Sequence, residues 1–70
     1  MEHWLERRAR TLRHIESGRR IIDRQRAIVA HKKALGLNSD VSENLLGAFE
    51  RTQAIFEQDL ADLNRRKPLE

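Results

Sequence analysis

Apolar residues recur along the first half of the chain with the spacing of an α-helix. From about residue 2 to residue 35 they fall into columns at seven-residue intervals, of which the two longest are Ile15, Ile22 and Val29, and Ile21, Ile28 and Leu35. Between these columns runs a mixed line that includes Gly18 and Gln25. Two apolar columns form a stripe wider than one partner helix covers, so the pattern predicts a helix with more than one neighbour.

A second helical pattern occupies about residues 40–65. Its central stripe is Leu45, Phe49, Thr52, Phe56, Leu60 and Leu63. A second apolar column, Val41, Ala48 and Ile55, lies on one side of that stripe, and Leu46 lies on the other.

A break at residues 36–39 separates the two helical patterns. Gly36 suits the left-handed conformation that ends many helices, and Asn38 or Ser39 is suited to cap the next one. Stop and start signals this close together predict an all-α antiparallel two-helix hairpin within a single domain, residues 1–68. The final Leu69 and Glu70 resemble a cloning scar.

The width of both apolar stripes predicts that two hairpins dimerise into a four-helix bundle. A chain of 70 residues buries a modest core, and a second copy is the simplest cover for the remaining apolar columns. Gln25 is interpreted either as a polar residue that sets the register between the two hairpins at their interface or as a rim residue. The residues predicted to form the dimer interface are Ile21, Gln25, Ile28, Leu35, Val41, Ala48 and Ile55.

Two positions of the first helix carry more specific expectations. Gly18 lowers helix stability by about 1 kcal/mol relative to Ala, so we expect a neighbouring backbone or the Phe56 ring to approach closely there. Trp4 and Leu5 are expected to lie beyond the end of the second helix, where they are covered by the second chain or frayed.

Charge divides the chain as clearly as hydropathy does. Residues 1–35 carry ten Lys or Arg and four Asp or Glu, whereas residues 36–70 carry four and seven. We expect Glu50 and Glu57 to face the segment that bears Arg19, Arg24 and Arg26. The basic run at the N-terminal end is either a solvated face or a surface that contacts nucleic acid or an acidic partner, through Arg7, Arg8, Arg10 and Arg13.

Several kinds of chemistry find no support in the sequence. There is no cysteine, and no apolar run approaches the roughly 20 residues of a membrane span. His3, His14 and His31 are too far apart for a helical metal site, and we expect them to be exposed. Asp59 is expected to pair with Arg20 or Arg13. We therefore predict no enzymatic activity, no metal or other cofactor and no membrane association, and the absence of a signal-peptide pattern predicts a cytoplasmic protein.

Two segments carry a resemblance to other proteins. They are the stretch from Gly18 through Ile22 and Gln25 to Arg26, and the stretch from Leu45 through Phe49 and Thr52 to Gln53. In these the chain resembles short, uncharacterised two-helix proteins of soil alphaproteobacteria over roughly residues 15–63. The resemblance implies a hairpin with a Gly-Asx-Ser/Thr turn, matched by Gly36, Asn38 and Ser39. It implies no established activity, and the two histidines common among those proteins are replaced by Ile21 and Phe56.

The sequence thus predicts a small helical protein-interaction module, a homodimer whose further protein partner it does not name. The alternative is a regulator that binds nucleic acid through the arginines of the first helix.

Overall fold

The computed structural model describes residues 3–67, which form two α-helices and no strand. Helix α1 spans Trp4–Ala34 and helix α2 spans Asp40–Arg65. The two helices pack along one another as a hairpin whose longest dimension is 57 Å. The predicted pair of helices is confirmed, with α2 at its expected bounds and α1 two residues shorter at its start and one at its end. The suspected scar lies outside the described residues.

The turn is built on the left-handed conformation of Gly36, whose φ is 68°. The amide of Gly36 donates to the carbonyl of Lys33, and the amide of Leu37 donates to that of Lys32, at 3.1 and 2.8 Å. This pair of bonds is the Schellman ending of a helix, which uses carbonyls that have no partner within the helix. Helix α2 then begins after Ser39, and the Asn38 side chain accepts a bond from the Asp40 amide at 2.8 Å. Lysines at the end of α1 and acids at the start of α2 suit the dipoles of both helices.

At the end of the hairpin opposite the turn, which we call the open end, Trp4 contacts α2. The Trp4 indole Nε1 donates to the carbonyl of Leu63 at 2.9 Å, and Leu63 is buried. The expectation that Trp4 lies past the end of α2 is therefore wrong. An indole N–H needs an acceptor when it is covered, and the last carbonyls of a helix need donors, so each group satisfies the other. Leu5, the next residue, lies within α1 and is exposed.

The contact line between the helices, which we call the seam, mixes apolar and polar side chains. The buried apolar residues are Ile15, Ile22, Val29 and Leu63, and the buried polar ones are Gln25, Ser39, Ser42 and Gln53. Gln25 donates to the Ser42 carbonyl at 3.0 Å, and Gln53 donates to the Ile15 carbonyl at 2.8 Å. No buried side-chain polar atom among the described residues lacks a partner, so the polar seam carries no desolvation penalty from unmade hydrogen bonds.

Gly18 lies directly against the side chain of one of these glutamines, Gln53. A Cβ added to Gly18 would overlap the side-chain amide of Gln53. The close approach expected at Gly18 is present, but the approaching group is Gln53 rather than a backbone or the Phe56 ring. The missing side chain therefore makes room for a buried hydrogen bond, which offsets the low helix propensity of glycine.

Candidate interaction surfaces

Two helices packed side by side form a single layer, and one face of this layer is held by charges. Three cross-helix contacts mark it: Arg8 Nε to Asn64 Oδ1 at 3.0 Å, Arg26 to Glu50 at 3.1 Å, and Lys33 to Glu43 at 2.7 Å. We call this the charged face. The expected opposition of Glu50 to the arginine segment is confirmed at Arg26. Arg26 and Glu50 are both exposed, so their ion pair contributes about 0–1 kcal/mol, and the three contacts together favour this orientation of the two helices.

Glu43 shows the electrostatic effect of such a pair. The hydrogen bond from Lys33 and the charge of its ammonium group hold the pKa of the Glu43 carboxyl below its usual range, with a smaller contribution from the Ser39 side chain. The site lies at the turn, where the end of α1 meets the start of α2. The shift is explained by a structural ion pair.

The opposite face of the layer carries large apolar side chains in contact with solvent. Ile21, Ile28, Leu35, Val41, Leu45 and Ile55 are between 38% and 80% exposed, and we call the surface that they form the apolar face. Five of them belong to the predicted dimer interface. The sixth, Leu45, was assigned to the centre of the α2 stripe and was not predicted at the interface.

Seven-residue spacing places these six residues on one side of the layer. Ile21, Ile28 and Leu35 continue the column of His14, and Leu45 lies fourteen residues before Asp59. His14 and Asp59 line the same groove, so their columns flank the seam on the same side. Val41 and Ile55 lie farther out on α2, in the column of Asp62, which also lines that groove.

The two remaining residues of the predicted interface differ from the others. Gln25 is 8% exposed and is bonded to the Ser42 carbonyl of its own chain, so it belongs to the seam inside one hairpin and is neither a rim residue nor available to a second chain. Ala48 is half-buried. Position 25 lies between the two apolar columns, and the mixed line that contains it faces α2.

At the open end the same side of the layer becomes a charged groove of about 320 Å³. We call it the open-end groove; it is lined by Arg7, Arg10, Thr11, His14, Phe56, Asp59, Asp62, Leu63 and Arg66. The His14 and Phe56 rings stack with centroids 4.9 Å apart and planes 11° apart, and they form its inner wall. The carboxylate of Asp62 accepts from Gln58 and from Arg65. The groove therefore sets basic side chains of α1 beside acidic side chains of α2.

The groove does not hold a nucleophile next to a base. The Thr11 hydroxyl donates its proton to the Arg7 carbonyl of its own helix at 3.0 Å. The His14 ring is stacked on Phe56. Asp59, expected to pair with Arg20 or Arg13, instead lies in the groove with Arg7 and Arg10.

The four arginines proposed to contact nucleic acid do not share one surface. Arg7 and Arg10 line the open-end groove, and Arg8 reaches the charged face, where it is bonded to Asn64. Arg13 is exposed. The structure therefore divides the basic run between two faces of the layer.

All three histidines are exposed, as expected, and His3 caps α1 through its Nδ1, which accepts from the Leu5 amide at 3.2 Å. Within residues 3–67, no three side chains of the metal-binding types come together as a metal site. Neither α1 nor α2 is apolar enough over a sufficient length to cross a membrane.

No family model, no curated protein and no solved structure matches this chain. The resemblance to two-helix alphaproteobacterial proteins stays a prediction. The surfaces of the hairpin are therefore the basis on which its function is proposed.

Proposed function

We propose that this chain is a non-enzymatic protein-interaction module that works as a homodimer, assembled through the apolar face into a four-helix bundle. The observation that carries the proposal is the exposure of six large apolar side chains on one face of a two-helix layer. Monomeric proteins expose single apolar residues routinely, but a contiguous surface of this kind is typical of interfaces.

The small core gives this face a thermodynamic role. Among the described residues only four apolar side chains are buried, and none is completely so. Burying a Val, Leu or Ile side chain fully stabilises by about 1.5–3 kcal/mol, and a chain of this size rarely obtains enough from a single core. Covering the apolar face supplies the burial of apolar side chains that the seam lacks, and this cover is needed whenever the chain is folded. A second copy is present at the same concentration as the first, which makes it the natural occupant.

The absence of catalysis is part of the proposal. It is supported by the bonding of Thr11 and the stacking of His14, which leave the open-end groove without a nucleophile and base in contact. The cytoplasm is the proposed compartment, because the chain contains no cysteine for the disulfides that small secreted domains commonly use.

Sedimentation equilibrium at tens of micromolar tests the dimer. We expect the wild type to have the mass of two chains, and a variant with both Ile21→Asp and Ile28→Asp to have the mass of one chain and to lose helicity by circular dichroism. The matched control carries Ala27→Asp and Ala30→Asp, which make the same change of charge at exposed positions of α1 outside the apolar face. The control should remain a helical dimer.

A wild-type mass of one chain, accompanied by full helicity, would end the dimer proposal. Loss of the dimer in the control as well would show that added negative charge, rather than the apolar face, is responsible.

The alternative function, nucleic-acid binding through α1, is favoured by one observation. Helix α1 carries ten Lys or Arg and three Asp or Glu, a net charge of +7. Against it, Arg8 is bonded to Asn64, and Arg7 and Arg10 lie beside Asp59 and Asp62 in the groove.

Gel-shift titration against mixed RNA and duplex DNA at low salt distinguishes the alternative. Phosphate binding by α1 requires an affinity that falls steeply with salt and that is lost when Arg7, Arg8, Arg10 and Arg13 are reversed in charge. We expect no shift at micromolar protein. A salt-sensitive shift that depends on these four arginines would instead establish nucleic-acid binding.

A further inference from the structure

The surface that the proposed dimer buries is not uniform along its length. Toward the turn it consists of the exposed apolar side chains, from Ile21 to Leu35 on α1 and from Val41 to Ile55 on α2. Toward the open end it becomes the charged groove, with Arg7 and Arg10 on one helix. A second copy placed on this surface therefore meets an apolar half and a charged half, and its orientation decides which half meets which.

The two helices also differ in charge. Helix α1 has ten basic and three acidic residues, a net charge of +7, and helix α2 has two basic and six acidic residues, a net charge of −4. Within the helices the open-end groove shows the same division, because Arg7 and Arg10 come from α1 and Asp59 and Asp62 come from α2; Arg66, which follows α2, adds one further basic side chain.

We infer that the two hairpins pack with their turns at the same end, so that α1 of each chain lies on α2 of the other. The inference rests on the proposed dimer and specifies its partner arrangement. A two-fold axis parallel to the helices produces this geometry. It brings apolar half onto apolar half, and at the open end it sets Arg7 and Arg10 of one copy opposite Asp59 and Asp62 of the other. The partner copy thus completes the open-end groove with charges of opposite sign.

The opposite arrangement, with turns at opposite ends, brings together neither the two apolar halves nor opposite charges when the hairpins overlap fully. Its two-fold axis lies across the helices and stacks α1 on α1 and α2 on α2, which opposes like charges along the bundle. Full overlap of the two hairpins then covers the apolar half of each chain with the charged half of the other. Sliding the hairpins until the apolar halves meet removes that mismatch but leaves the open halves outside the interface.

Distances between paired spin labels distinguish the arrangements, and the chain has no native cysteine to interfere. Two single-cysteine variants, Ala9→Cys near the open end and Ala34→Cys near the turn, place labels at exposed sites of α1. With turns at the same end, both labels should give distances of about the width of the bundle, roughly 20–30 Å, from helix diameters of 10–12 Å.

No opposite-end arrangement can give two such short distances. The labels are 25 residues apart, so the separations along the axis at the two sites add to at least about 75 Å at 1.5 Å per residue, wherever the crossing point lies. At least one of the two distances must then exceed roughly 37 Å.

Two short distances support the inference, and one long distance overturns it while leaving the dimer intact. As control, the Ala9→Cys variant is also measured with Ile21→Asp and Ile28→Asp added, which should abolish the distance. A one-chain mass for the labelled protein would instead refute the dimer itself. Failure of the arrangement and failure of the proposed function are therefore read from different measurements.

Discussion

The seam and the apolar face of this hairpin differ in a way that hydropathy alone would not predict, because the seam buries polar side chains beside its apolar ones while large apolar side chains of the other surface are exposed. The seam buries Gln25, Gln53 and Ser42 between the helices, whereas Ile28 and Ile55 stand in solvent on the apolar face. Both surfaces follow seven-residue columns that are a few residues apart in the same helices. The difference shows that burial within the hairpin follows which columns face the partner helix, and that hydropathy alone does not decide it.

The two surfaces also differ in specificity. A glutamine that donates to one particular carbonyl satisfies its hydrogen bond in one register only, while apolar side chains tolerate small shifts of their neighbours. We interpret the seam as the surface that defines how α1 and α2 align. The apolar face would then supply association energy to a hairpin whose alignment is already set.

The largest effect within one chain should come from removing a seam glutamine. Gln53→Ala deletes the bond to the Ile15 carbonyl and leaves space beside Gly18, so we expect the free energy of unfolding to fall by about 1–3 kcal/mol. The measurement is urea unfolding at one fixed protomer concentration. Gln58→Ala is the matched control, since Gln58 is an exposed glutamine of the same helix that bonds to Asp62. Its effect should stay within about 0.5 kcal/mol.

Gly18→Ala tests the same contrast, because the sign of its effect on the free energy of unfolding depends on Gln53. In the wild type the new methyl group displaces the Gln53 amide, and the lost buried bond outweighs the gain of about 1 kcal/mol in helix propensity. In the Gln53→Ala background the obstacle is gone, and Gly18→Ala should stabilise by about 1 kcal/mol. Equal effects in the two backgrounds would show that Gly18 and Gln53 do not act together.

A smaller effect is expected on the charged face. Arg26→Glu and Glu50→Arg, each alone, should lower the free energy of unfolding by about 0–1 kcal/mol, and the double exchange should recover part of the loss. Salt should reduce these differences, because both side chains are largely exposed. A loss of stability as large as that expected for Gln53→Ala would contradict the prediction that the charged face contributes less than the seam.

The smallest effect should appear in the pH dependence of stability. Lys33 lowers the pKa of Glu43 in the folded state, so the unfolded chain binds the proton more readily. The stabilisation is present above the ordinary carboxyl range and is lost as pH falls through the folded-state value. Thermal unfolding followed from neutral to acidic pH should therefore show a slightly steeper loss for the wild type than for Lys33→Gln. Identical slopes for the two proteins would show that the Glu43 ion pair does not contribute to the pH dependence of stability.

Local signals in the sequence predicted the helices and the turn. Gly36 ends α1 as expected, and α2 begins and ends where capping and charge place it. The exposed columns that include Ile21 and Val41 were likewise readable, because stripes wider than one helix can cover must leave residues outside.

The seam could not be read in the same way. Hydropathy scores Gln25 and Gln53 as polar and assigns them to a rim or to solvent, although a long amide side chain can be buried when a backbone carbonyl accepts its proton. Predicting the role of Trp4 would have required knowing that the carbonyl of Leu63 lies opposite it. Such pairings depend on the register between the helices, which periodicity within one helix does not specify.

The connection at residues 35–39 also has a consequence for the order of events in folding. The hydrogen bonds across the seam close ever longer stretches of chain with distance from it: Gln25 and Ser42 are 17 residues apart, Ile15 and Gln53 are 38, and Trp4 and Leu63 are 59. From the first to the last, the entropic cost of closure rises by about 1 kcal/mol. We therefore expect contacts near the turn to form first during folding, and the contact between Trp4 and Leu63 to form last.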